Sequence, residues 1–136
     1  HVDYAEGAFV AGLLHDLGKL LIAISGPDDF AEVRRLAQAT GRAWNECELE
    51  VLGVTHAELG GEALERWNLP VPIREAVAQH HRPGGTGALS WAVAEANAAA
   101  NALGHALFTG GGIVDEVMSP LLPQFEVEFE TMRSFI

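Results

Sequence analysis

The sequence predicts an all-α fold, a single-domain bundle of about six to eight helices. Three observations predict it. Apolar residues recur at spacings of three and four through most of the chain, the period of a helix with one buried face. Gly, Pro, Ser and Asn interrupt that pattern at Ser25-Gly26-Pro27, Gly41, Gly53, 68–72 and 82–87, where helices end and turn. Period-two stretches such as 124–129 are short and lie among helices, so no strand signal survives.

The elements follow in order. Asp3 is placed to cap the first helix, with Glu6 three residues on as its capping-box partner. From Tyr4, the positions Phe9, Val10, Leu13, Leu14, Leu17, Leu20, Leu21 and Ile24 define a wide buried face, with Gly18 as a kink just after His15-Asp16. Ser25-Gly26-Pro27 ends that segment. Asp28 or Asp29 caps a second helix to about Thr40, with Phe30, Val33, Leu36 and Ala37 on one face and Gly41 closing it. A third helix, about 43–52, turns Trp44, Leu49 and Leu52 inward and Glu46, Glu48 and Glu50 to solvent, and Gly53 stops it. Thr55 caps a fourth helix, with Glu58 as capping-box partner; it runs to Trp67 and carries Leu59, Ala63, Leu64 and Trp67. Residues 68–72 form a rigid linker, and Pro72 suits the first turn of a fifth helix that reaches His80 or His81. After the loop 82–87, an Ala-rich sixth helix spans about 89–103. Two short helices, near 114–118 and 124–136, complete the chain.

Composition narrows the function. A chain of 136 residues, 49% apolar, fits one domain with a real core. The net charge of −11 and only eight basic residues argue against a nucleic-acid or anionic-membrane surface. The apolar run 20–24 is too short to span a bilayer, and no signal peptide is visible. Cys47 is alone, so no internal disulfide forms and the cytoplasm is the expected location. The chain begins at His1 rather than Met, as a piece of a longer protein would.

Four of the six histidines fall at three places: His15-Asp16, His56, and His80-His81. Imidazole nitrogens and a carboxylate are the donors a divalent transition metal takes, and a metal-bound water becomes a nucleophile near neutral pH. Consecutive helical side chains diverge by about 100°, so His15 and Asp16 share an ion only at a helix edge or bend. His56 opens a helix and His80-His81 close one, where side chains converge more easily. The competing reading stands beside this one: a single histidine is more often a cap, a surface group or a satisfied core residue, and Asp16 can cap the segment that follows it with His15 bonded to its carboxylate. Arg34-Arg35 reads as solvated or paired with Asp28, Asp29 or Glu32; Gly84-Gly85-Thr86-Gly87 as a plain loop; Trp44, Trp67 and Trp91 as core or interface; His105 as structural.

The run from Ala8 through His15-Asp16-Leu17-Gly18-Lys19-Leu20 resembles the signature of the HD superfamily. Glu48 to Gly60, Trp67-Asn68-Leu69-Pro70 and His80-His81-Arg82-Pro83 narrow the resemblance to the HDOD domain, the HD-related output domain of bacterial signalling, over about Ala5 to Gly104. The resemblance implies an HD-like helical bundle that begins inside the domain. It also implies a role in signal transduction beside receiver or cyclic-nucleotide-related modules. The related HD-GYP phosphodiesterases hydrolyse cyclic dinucleotides at a site of two or three metals. In that pattern His15 and Asp16 are the central ligand pair, His56, His80 and His81 are further ligands to Fe, Mn, Zn or Ni, and Lys19 contacts substrate phosphate.

The departures from the pattern point the other way. Asn97 stands where catalytic relatives place a metal-binding aspartate, no histidine before His15 is assigned as an upstream ligand, and no glycine-tyrosine-proline motif follows His81. A neutral amide ligates only through its carbonyl oxygen and cannot balance two divalent charges. The expected function is therefore a regulatory output module that acts by protein contact without catalysis; the alternative is a metal-dependent phosphohydrolase of a cyclic dinucleotide or phosphate ester.

Overall fold

The computed structural model describes residues 5–82 and 87–103. The expected cap at Asp3, the loop residues 83–86, His105 and the two C-terminal helices lie outside them. Among the described residues there are seven helices and no strand: α1 (Ala5–Leu14), α2 (Leu17–Ser25), α3 (Pro27–Thr40), α4 (Trp44–Leu52), α5 (His56–Arg66), α6 (Val71–Gln79) and α7 (Ala88–Ala102). The all-α expectation holds.

Local signals set most of the boundaries. Thr55 and Glu58 form a reciprocal capping box at the start of α5. Gly41 and Gly53 close α3 and α4 with φ of 69° and 72°, a region other residues enter at a cost. The cap of α3 differs from expectation: Gly26 holds the N-cap position and Pro27 opens the helix, which places Asp28 and Asp29 in the first turn, where the helix dipole favours them. Arg35 pairs with Glu32 one turn away, at 2.6 and 2.7 Å.

The helices enclose two cores. One gathers Ala11 of α1, Leu64 of α5, Ile73, Ala76 and Val77 of α6, and Leu89 and Val93 of α7. Burying a side chain such as Leu64 contributes about 1.5–3 kcal/mol. The other lies in the α3–α4 hairpin, around Val33, Ala37, Trp44 and Cys47. Between them runs α2, packed against α5 on one side and α3 on the other.

The first long helical segment departs from expectation twice. It breaks at His15-Asp16, not at Gly18. Gly18 sits buried inside α2, where a Cβ would lie 1.9 Å from the backbone oxygen of His56. The missing side chain is thus a contact between helices, not a kink. Of the expected buried face, Phe9, Leu13, Leu20 and Ile24 are each more than 60% exposed. Helix α1 is apolar on nearly every side, so its pattern could not select a face; Gly7 and Ala11, small enough for close approach, turn inward instead. Helix α4 is also turned from expectation, with Leu49 exposed and Glu48 fully buried. Trp44 is a core residue, whereas Trp67 and Trp91 are more than half exposed.

The run 20–24, too short by itself to span a bilayer, is part of a longer apolar segment. In the structure Gly7–Ser25 is 19 residues of apolar helical chain, long enough to cross a membrane by length and composition. Its middle carries the Asp16–Lys19 ion pair at 2.8 Å, a costly arrangement in a bilayer centre, and its break at His15-Asp16 turns Asp16 toward α5 and α6.

Candidate metal centre

Four side chains meet where α2, α5 and α6 converge. Asp16 comes from the α1–α2 break, His56 from the first position of α5, and His80 and His81 from the end of α6. One donor atom from each lies within 4.8 Å of the others. Helix ends present these groups because a side chain there is not screened by a following or preceding turn. The close approach at Gly18 and Gly60 lets α2 and α5 bring Asp16 against His56: a Cβ on Gly60 would lie 3.5 Å from the Gly18 nitrogen.

Hydrogen bonds fix which ring nitrogens face the centre. The His56 Nδ1–H donates to Glu48 Oε2 at 2.6 Å, and the His80 Nδ1–H donates to the Val77 carbonyl at 2.7 Å. A carboxylate and a carbonyl only accept, so both Nδ1 atoms carry the proton and both Nε2 atoms offer lone pairs in the neutral ring. His56 Nε2 is 3.3 Å from His80 Nε2 and 3.0 Å from His81 Nε2. Asp16 Oδ1 lies 3.2 Å from His56 Nε2 and 3.7 Å from His80 Nε2, yet it is buried and accepts no well-directed hydrogen bond. Acceptor atoms converging on one point repel unless a proton or a cation sits among them.

The titration behaviour follows from this crowding. Burial would raise the Asp16 carboxyl, but the close imidazoles of His56 and His80 and the charges of Lys19 and His15 hold it well below the usual carboxylate range. Burial would lower His56, but Asp16 and Glu48 raise it above its ordinary value. Burial lowers His80, and burial with the neighbouring His80 and His56 lowers His81 to about 3.

The donor set fits one divalent transition metal of the Fe, Mn, Zn or Ni kind. Bonds of ~2.0–2.2 Å hold donors within about 4 Å of each other, so a pair at the 4.8 Å limit must close by about 0.8 Å. The second-sphere carboxylate and carbonyl on His56 and His80 are the partners such ligands usually have.

The structure brings together Asp16, His56, His80 and His81 but leaves His15 out. The His15 Nδ1–H donates to the Gly12 carbonyl at 2.7 Å, and its Nε2 stands 3.6 Å from the outer oxygen, Asp16 Oδ2. The His15 ring lies edge-on against His80, with centroids 5.1 Å apart, but adds no donor atom to the cluster. Lys19 Nζ donates to the same outer oxygen at 2.8 Å. Asn97 accepts from Asn101 on its own helix at 3.5 Å, and no described His, Cys, Asp or Glu of α7 joins the cluster.

Sequence reasoning missed Glu48. It is fully buried and accepts from the Trp44 indole, the His56 backbone N–H and the His56 ring. The available signal was its spacing: position 48 is one turn beyond Trp44, which reads as inward, so both share a face.

A family model described as HDOD domain matches residues 1–83. The match covers the whole donor set and ends before α7, so Asn97 lies beyond it. A protein of Treponema pallidum (strain Nichols), described as uncharacterized, is 27% identical over 74 residues, which is 54% of this chain and 14% of that protein. No solved structure matches the chain.

Proposed function

The chain belongs to the HDOD domain family, HD-related domains associated with signalling, and on that premise we propose a bacterial, cytoplasmic regulatory module that holds one metal ion and acts by protein contact without turnover. The single observation that supports this reading is the donor count. Asp16, His56, His80 and His81 are four protein ligands on one centre. Four protein ligands fill a tetrahedral coordination sphere, the arrangement of structural rather than hydrolytic zinc sites, which keep a position for water. A bound ion would neutralise the Asp16 charge and the three imidazole lone pairs, and so fasten α2 to the ends of α5 and α6. Other signalling domains, receiver or cyclic-nucleotide-related modules among them, are the proposed partners.

Elemental analysis of purified protein tests the reading, paired with a hydrolysis assay on a chromogenic phosphodiester and cyclic dinucleotides. About one Fe, Mn, Zn or Ni per chain with no metal-dependent hydrolysis supports it. Metal-dependent turnover overturns it.

One observation favours the alternative, a metal-dependent phosphohydrolase. Lys19 and His15 flank the outer oxygen of Asp16, where an ammonium and an imidazole would meet a phosphate beside the metal. That reading predicts hydrolysis that is lost in both Lys19→Ala and His15→Ala while the metal content is unchanged.

A further inference from the structure

Glu48 joins the proposed ion site to the α3–α4 core by hydrogen bonds, beside a second contact in which the Lys19 ammonium lies 6.0 Å from the centroid of the Trp44 ring. A carboxylate with no solvent exposure is costly unless its oxygens are matched by donors, and here they are. Oε1 takes the Trp44 Nε1–H at 2.7 Å. Oε2 takes the backbone N–H of His56 at 2.8 Å and its Nδ1–H at 2.6 Å. Trp44 in turn lies against Phe30, with ring centroids 5.5 Å apart, and anchors the α3–α4 core. One oxygen therefore holds a ligand of the proposed ion, and the other holds the neighbouring core.

We infer that Glu48 is the positioning residue of the ion site, and that the chain Trp44–Glu48–His56 ties its occupancy to the α3–α4 hairpin. The inference rests on the ion-site reading above. Its chemistry is that of a polarised hydrogen-bond chain. With an ion held by His56, the imidazole would be more polarised and its Nδ1–H a stronger donor to Glu48 Oε2. The Trp44 indole, bonded to the other oxygen of the same carboxylate, would register the change. A glutamine cannot replace this link. Its amide offers one acceptor and one N–H₂ group, so in either orientation an N–H faces an N–H, from Trp44 or from His56.

The test uses the full chain with Trp67→Phe and Trp91→Phe, so that Trp44 is the sole indole. Both replaced residues are more than half exposed, whereas Trp44 is 8% exposed. Zn²⁺ is the probe because it is spectroscopically silent and quenches nothing itself. In this parent, Zn²⁺ binding followed by calorimetry should be accompanied by a saturable change in Trp44 emission. Glu48→Gln should bind Zn²⁺ roughly 10–100-fold more weakly, the usual effect of losing such a partner, and at saturation its Trp44 should no longer respond. Glu48→Asp, which keeps the carboxylate, should recover part of both.

Coupling is reciprocal, so Trp44→Phe should itself weaken Zn²⁺ binding by roughly fivefold although an indole offers no metal-ligating atom. That arm stands even if Glu48→Gln fails to fold. Unchanged Zn²⁺ affinity in Trp44→Phe, or parental affinity and response in folded Glu48→Gln, overturns this inference alone. A parent that takes up no Zn²⁺ overturns the ion-site reading and this inference with it.

Discussion

Replacing Gly18 with alanine sets two physical effects of opposite sign against each other. Gly18 lies inside α2, and by helix propensity alone Ala there stabilises by about 1 kcal/mol. The packing says otherwise. A Cβ at position 18 would lie 1.9 Å from the His56 backbone oxygen, 2.6 Å from its carbonyl carbon and 2.8 Å from its Cα. These are backbone atoms, so no rotamer change relieves the clash. A carbon–oxygen contact settles at roughly 3.3–3.6 Å, so α2 and α5 must part by more than about 1 Å. Overpacking of this kind costs about 1–3 kcal/mol or more, which exceeds the propensity gain. The separation also falls on the site. Asp16, two residues earlier, is carried away from His56 Nε2, now 3.2 Å from Asp16 Oδ1. Urea unfolding of the parent and Gly18→Ala, each with excess Zn²⁺ and with chelator, reads both effects. The expected result is a net loss of about 1–2 kcal/mol without ion and a much smaller stabilisation by Zn²⁺. A Gly18→Ala protein as stable as the parent or more so, in line with propensity, refutes the reasoning.

Three further outcomes follow from the same geometry. Thr55→Ala removes the hydroxyl that accepts the Glu58 N–H at 3.2 Å and should cost about 0.5–2 kcal/mol in urea unfolding, with weaker ion binding because α5 begins at His56. Ion saturation at 100 times Kd should add about 2.7 kcal/mol; chelation should lower Tm accordingly, His80→Ala should abolish the difference, and His15→Ala should keep most of it. In the ion-free protein His80 and His81 are lowered from 6.5, His81 to about 3, so below about pH 6.5 the unfolded chain binds protons the folded one does not. Stability should therefore fall as pH drops from 6.5 toward 3, by at most about 1.4 kcal/mol per pH unit for each proton, less for the partly exposed His81. His56, raised from 6.5, contributes stability below that value and loses it as pH rises through its folded value, which places the optimum near neutrality. Thermal melts in chelator across pH 4–8 check this, and a flat profile below 6.5 contradicts it.

What was legible in the sequence divides by the range of the interaction. Thr55 with Glu58, Pro72, Gly41 and Gly53 act within one turn of the chain, and each marks its boundary in the structure. His56, His80 and His81 could be grouped because they fall at helix ends, and ends converge. The misplaced residues all depend on a partner elsewhere. Gly18 looks like a kink until the His56 carbonyl is known to press on it. The inward face of α1 is set by which neighbours approach, because its own pattern is apolar all round. His15 looks equivalent to Asp16 until its Nδ1–H is seen to go to the Gly12 carbonyl and its Nε2 to the outer oxygen of Asp16, outside the cluster.

Glu48 is the most instructive of these. Charge type argued for solvent, while spacing from Trp44 argued for the core. Spacing prevails only because Trp44 and His56 supply three donors to two oxygens. A buried carboxylate without them would cost more than the helix could return. The ion site therefore has two requirements that its histidines do not reveal: a carboxylate at 48 to fix the His56 tautomer, and no Cβ at 18 to let Asp16 reach it. A chain that keeps every histidine but changes either position would retain the pattern of the fold and lose the geometry that makes four donors one site.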